Sequence, residues 1–179
     1  RGWFYTLHAI ATMCFDSGAF KNVVSNGLVL DKDGMKMSKS KGNVVDPFKT
    51  LDQYGVDATR WYMITNAQPW DNLKFDLEGI DEARRKFFGT LYNTYSFFSL
   101  YANIDEFTFA EAYLPIDKRP EIDRWIISKL NSLVREVREL LSDYEPTNAG
   151  RKIEQFVDEN LSNWYVRLCR RRFWKGEYT

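Results

Sequence analysis

From Trp3 to Phe15 apolar residues are dense and do not alternate, which predicts a helix buried on most sides and ended by Asp16, Ser17 and Gly18. Two short apolar runs follow, Lys21 to Val24 and Leu28 to Leu30, separated by Ser25, Asn26 and Gly27; this pattern predicts strand, turn, strand. Residues 31 to 43 carry almost nothing apolar except Met35 and Met37 and read as an exposed loop. Asp46 followed by Pro47 predicts a helix start, with Phe48, Leu51 and Tyr54 on one face and Gly55 as its stop. Asp57 then predicts the cap of a helix through Ala58, Trp61, Tyr62 and Ile64. Beyond Leu77 the period lengthens to that of long helices: 77 to 103, 121 to 144, 147 to 159 and 161 to 174. Residues 104 to 120, with Pro115 and Pro120, read as an irregular crossover. A boundary therefore falls near residue 77, between an α/β end and a helical bundle.

Composition narrows the class. The 179 residues are 44% hydrophobic and 16% aromatic, enough material for a packed core, and 25 basic residues balance 25 acidic ones. No apolar run approaches the roughly 20 residues of a membrane span. Two cysteines and a single histidine, His8, exclude a Cys/His zinc cluster, and a reduced, cytoplasmic location is the expectation. His8 is expected to be a helix residue with a structural contact, and Trp61, Tyr62, Trp70, Tyr92 and Trp125 to be core. The chain opens at Arg1 without Met or a leader pattern, and so reads as a piece of something longer.

The chemistry concentrates in the loop. Between residues 32 and 41 stand Lys32, Lys36, Lys39 and Lys41 against the single acid Asp33, with small residues around them. Such a loop suits a polyphosphate, because lysine is a mobile point charge and serine hydroxyls and backbone N–H groups donate to phosphate oxygens. A solvated basic turn is the competing reading from composition alone. A second basic run, Arg167, Arg170, Arg171, Arg172 and Lys175, contains no acid and is interleaved with Phe173 and Trp174. It suits RNA phosphates and splayed bases, with a solvated face or interhelical packing as the alternative. Zero net charge argues for a local nucleic-acid footprint, with no DNA partner expected.

Lys36, Met37, Ser38, Lys39 and Ser40 spell KMSKS, flanked by Asp33, Gly34, Met35 and by Lys41, Gly42, Asn43, Val44, Val45, Asp46, Pro47. This stretch resembles the signature of class I aminoacyl-tRNA synthetases, and its long flank the isoleucyl, valyl and leucyl subgroup. Arg1, Gly2, Trp3, Phe4, Tyr5 is similar to the amino-acid-pocket segment of isoleucyl-tRNA synthetases, and the run from Asn163 to Trp174 to the helix that opens their anticodon-binding domain. The resemblance implies a mainly α chain: the C-terminal end of a Rossmann-like α/β catalytic domain (1–45), a helical stem-contact connector (46–76), and an incomplete anticodon-binding bundle (77–179). It implies ATP, with Mg2+, held by Lys36, Met37, Ser38 and Lys39, with Lys36 and Lys39 as the catalytic cations and Lys41 a bystander. It further implies isoleucine against Trp3, although core packing is the common fate of a tryptophan, and tRNA(Ile) against Arg167, Arg170, Arg171 and Arg172. No metal site is expected. The family's other signature, His-Ile-Gly-His, and its editing domain have no counterpart here, so these residues alone are expected to be catalytically silent. Valine or leucine in place of isoleucine, and a non-catalytic tRNA-binding module, stay open at this stage.

Overall fold

The computed structural model describes residues 2–110 and 112–174. Helix α1 (Gly2–Phe15) is followed by an irregular stretch and the short strand β1 (Val29–Leu30). Next come α2 (Pro47–Tyr54), α3 (Val56–Asn66) and β2 (Leu73–Lys74). A long helix runs through α4 (Leu77–Ala83), a π-helical segment (Arg84–Phe88) and α5 (Gly89–Ile104). After the crossover stand α6 (Glu121–Ser142), α7 (Pro146–Gln155), a second π-helical segment (Phe156–Val166) and α8 (Arg167–Trp174).

The local signals are realised where they are strongest. Asp46 accepts from the N–H groups of Phe48 and Lys49, and Pro47 occupies the first helical position of α2. Asp57, in contrast, lies in the first turn of α3 while Gly55 takes the cap position. Among the described residues between Ile104 and Glu121, the chain has one 3-10 turn, at Ile116–Lys118, and is otherwise irregular.

Other expectations are corrected. The 21–24 and 28–30 runs form no hairpin. Val29 pairs instead with Leu73 and Leu30 with Lys74, in a parallel two-stranded sheet. Gly27 explains the choice of partner: its N–H donates to Pro69 O at 2.8 Å, and a Cβ there would overlap the Asp71 carbonyl. Only a residue without a side chain lets the 69–72 loop come this close. Second, α1 forms as expected, yet none of its residues is buried. A helix apolar all round has no single stripe to seat, and its covering here is the ring of Phe20 beside Phe4 and His8, at 5.9 and 6.1 Å between centroids. Third, the helix expected to break near residue 160 is continuous from Pro146 to Trp174, because wide π-helical turns carry the chain through that region.

The core has two parts. Ala58, Tyr62 and Ile80 form one, with Tyr54, Phe75 and Leu77 packed against it. Phe87, Ile126, Phe156 and Val157 form the other, with Trp61 and Trp125 against it. Trp61 stacks on Phe87 with centroids 4.5 Å apart, and its indole N–H donates to Glu154 Oε1 at 2.6 Å. Trp70 and Tyr92, both expected inside, are 47% and 69% exposed. The carbonyl end of α3 is capped by α7: Thr147 Oγ1 donates to Ile64 O and Ala67 O, and Arg151 donates to Thr65 O and Asn66 O.

Candidate functional site: a lysine strap between β1 and α2

The strap starts where β1 ends. Asp31 N donates to Met35 O at 2.9 Å and Gly34 N to Asp31 O at 3.0 Å, a tight turn in which Gly34 has φ 82°. That left-handed conformation favours glycine. Lys36 then forms an antiparallel bridge back to Leu30. A second turn, the 3-10 segment Lys39–Lys41, ends on Gly42 at φ 66°, which aims Asn43 back into the loop. Asp46 then opens α2.

Two side chains hold this shape. Asp31 Oδ1 accepts from Met35 N at 2.7 Å and Asp33 N at 3.1 Å. Asn43 Nδ2 donates to Asp31 Oδ2 at 2.7 Å and to Lys36 O at 3.3 Å, while Asn43 Oδ1 accepts from Ser38 N at 2.9 Å. The hydrogen bond from Asn43, followed by that from Met35 N–H, holds the Asp31 carboxyl below the usual carboxylate range. Ser38 and Ser40 hydroxyls lie 3.2 Å apart.

What remains outward is cationic. Lys36, Lys39 and Lys41 are exposed, and none forms an ion pair with an acid among the described residues. Lys36 and Lys39 are thus exposed on a loop closed by its own side chains, with the half-buried Met37 and Ser38 between them in the chain.

The other expected residues fare differently. Trp3 stands on α1, 69% exposed, its ring edge-on to Phe4 at 4.9 Å, and no hydrogen bond or ring contact joins it to the strap. On α8, Arg172 is engaged within the fold, with Nη1 and Nη2 on the two oxygens of Asp123. Arg170 lies over the Phe97 ring at 5.9 Å. Arg167 and Arg171 are exposed and form no ion pair among the described residues; Lys175 lies outside them. Away from the residues expected in the site, the cations Arg84, Arg85 and Lys86 are matched by Asp81 and Glu82 along their own helix. A cleft of about 710 Å3 between α3, α4 and α7 includes none of the strap residues. Among the described residues no group of three His, Cys, Asp or Glu is arranged to hold a metal, and no helix is long and apolar enough to cross a membrane.

Sequence reasoning missed Asp31 as an organiser of the strap and quoted Asn43 only as flank. The signal for Asp31 was present: an aspartate three residues before a glycine, at the end of a strand, is a common turn-closing arrangement. Asp123 carried no such signal, because its partners lie 42 and 49 residues away.

The family described as tRNA synthetases class I (I, L, M and V) matches residues 1–76, and the anticodon-binding domain of tRNA ligase matches residues 123–178. Residues 1–76 thus match the class I tRNA synthetases, and residues 123–178 the anticodon-binding domain of such ligases. Within them its similarity runs to isoleucine–tRNA ligases: 70% identity over 178 residues with that of Cytophaga hutchinsonii, 70% over 179 with that of Porphyromonas gingivalis, and 53% over 177 with that of Dehalococcoides mccartyi. These alignments cover 99 to 100% of the chain but only about 16 or 17% of each relative's length. Among solved structures, the Agrobacterium radiobacter K84 LeuRS, in a ternary complex with tRNA and LeuAMS, superposes with TM-score 0.72. It is 20% identical, over 94% of this chain and 20% of that one, and supports the fold. The valine and leucine alternatives are not favoured.

Proposed function

We propose that these residues are the strap-bearing and tRNA-positioning segment of an isoleucine–tRNA ligase acting in the cytoplasm, with the catalytic end at 1–45, the connector at 46–76 and the anticodon-binding bundle at 77–179. In the first step an isoleucine carboxylate oxygen attacks the α-phosphorus of ATP. The bond to the β-phosphate bridging oxygen breaks, and its electron pair leaves with pyrophosphate. Lys36 and Lys39 face that growing charge. A cation that follows it stabilises the transition state more than the bound substrate. Ser38 and the backbone at Met37 hold the nucleotide, and Trp3 offers an apolar wall to the isoleucine side chain. Mg2+ would be carried on the phosphates of ATP, where it neutralises charge. In the second step the aminoacyl group passes to the terminal ribose of tRNA(Ile), with Arg167, Arg170 and Arg171 on tRNA phosphates and Arg172 setting the helix that carries them.

One observation carries this reading: a self-closed loop that leaves Lys36 and Lys39 exposed and without an ion-pair partner among the described residues. The test is Lys39→Ala in the full-length ligase, followed by ATP–pyrophosphate exchange. Removing one preorganised charge partner slows such a step by about 10² to 10³. Exchange within about threefold of the unsubstituted enzyme contradicts the role.

A further inference from the structure

We infer that Asn43 and Asp31 form a positioning clamp that keeps the strap in the shape that presents Lys36 and Lys39 to ATP; this rests on the reading above and adds two residues to it.

Lys32, Lys36, Lys39 and Lys41 are crowded into ten positions with Asp33 as the one acid among them, so in the absence of an anion their mutual repulsion favours an open loop. The loop is nonetheless closed, and the side-chain bonds that tie its two ends run through Asn43 and Asp31. Asn43 bonds three separate parts of the strap: the Asp31 carboxylate, the Lys36 carbonyl and the Ser38 N–H. Asp31 in turn fixes the N–H groups of Asp33 and Met35. Residues from 31 to 43 are therefore tied across the loop, with KMSKS between the two anchors.

The chemistry demands an amide at position 43. Ser38 N–H needs an acceptor and Asp31 needs a donor, and both must come from the same short side chain. An aspartate there supplies the acceptor but sets a second carboxylate against Asp31. An aliphatic residue supplies neither. Because Asn43 holds the backbone on both sides of Met37, its loss moves Lys36 and Lys39 relative to the phosphates, and displacement of a catalytic charge by about 1 Å is enough to slow a step 10²-fold.

The experiment compares Asn43→Asp, the reversed pair Asp31→Asn with Asn43→Asp, and Lys39→Ala in the full-length ligase, reading ATP–pyrophosphate exchange. In the reversed pair an amide at 31 donates to a carboxylate at 43, which still accepts from Ser38 N–H. Asn43→Asp is expected to lower kcat/KM for ATP by roughly 10- to 100-fold, the worth of a charge-assisted hydrogen bond, with the isoleucine KM unchanged within about twofold. The reversed pair is expected to recover at least about tenfold of that loss. The clamp is overturned if Asn43→Asp stays within about threefold of the unsubstituted enzyme, if the reversed pair recovers nothing, or if the isoleucine KM rises in step with that for ATP. If Lys39→Ala slows exchange while Asn43→Asp does not, the clamp alone fails; if neither slows it, the functional reading fails with it.

Discussion

Arg172 grips Asp123 at two points, Nη1 on Oδ1 at 2.7 Å and Nη2 on Oδ2 at 3.0 Å, joining α8 to the first turn of α6. Tyr165 adds its hydroxyl to Asp123 Oδ1 at 2.9 Å. Cys169 is buried and Arg172, though partly exposed, is tied to α6, while Arg167 and Arg171 are exposed and form no ion pair among the described residues. One arginine of the basic run thus sets the direction in which the others point.

Burial opposes the charged form of Asp123, but the hydrogen bonds from Arg172 and Tyr165 outweigh it and hold the carboxyl below its usual range. A depressed carboxyl adds stability above its unfolded pKa, near 4, and that stability is lost as pH falls through the lower folded value. Arg172→Ala is expected to cost about 1 to 2 kcal/mol at neutral pH, a two-point charged contact discounted for the partly exposed arginine. Thermal melts at pH 7 and at about pH 2.5 check this: the gap between variant and parent should narrow in acid.

Thr147 is fully buried and caps two carbonyls of α3 across 83 and 80 residues of sequence. Thr147→Val keeps the volume and leaves Ile64 O and Ala67 O without that donor. Denaturant unfolding should show a loss of about 1 to 3 kcal/mol. No loss would mean the carbonyls find other partners.

Gly27→Ala places a Cβ into the Asp71 carbonyl and parts the 69–72 loop from β1. Since β1 leads directly into the strap, hydrogen exchange at Leu73 N and Phe75 N, which bond to Leu28 O and Leu30 O, should speed up before the helical bundle is affected. Unchanged protection at both amides would refute this seating.

The 179 residues contain KMSKS but no His-Ile-Gly-His, so by themselves they are expected to give no ATP–pyrophosphate exchange above background. Exchange by this chain alone would show that the ATP site needs nothing further.

What could be read in the sequence follows from distance along the chain. The cap at Asp46 with Pro47 is local, and α2 begins there as expected. The lysine strap was legible as a charged, glycine-flanked loop, because its cations and its turn residues lie within about a dozen positions. The partner of β1 was not, since it lies 44 residues away and is chosen by the close approach at Gly27. Tyr62 and Trp70 look alike in sequence, yet Tyr62 donates to Lys74 O inside the first core cluster and Trp70 is left in solvent. The arginine run showed its charge but not its division, because Asp123 reaches Arg172 from 49 residues upstream.

In the proposed function Lys39 acts on charge developing in the transition state. Single-turnover formation of isoleucyl-adenylate by full-length Lys39→Ala, measured beside the equilibrium Kd for ATP, tests it most directly. The account predicts a rate constant reduced by about 10² to 10³ with ATP affinity changed by less than about tenfold. An unchanged rate constant, or a loss confined to ATP affinity, would contradict it.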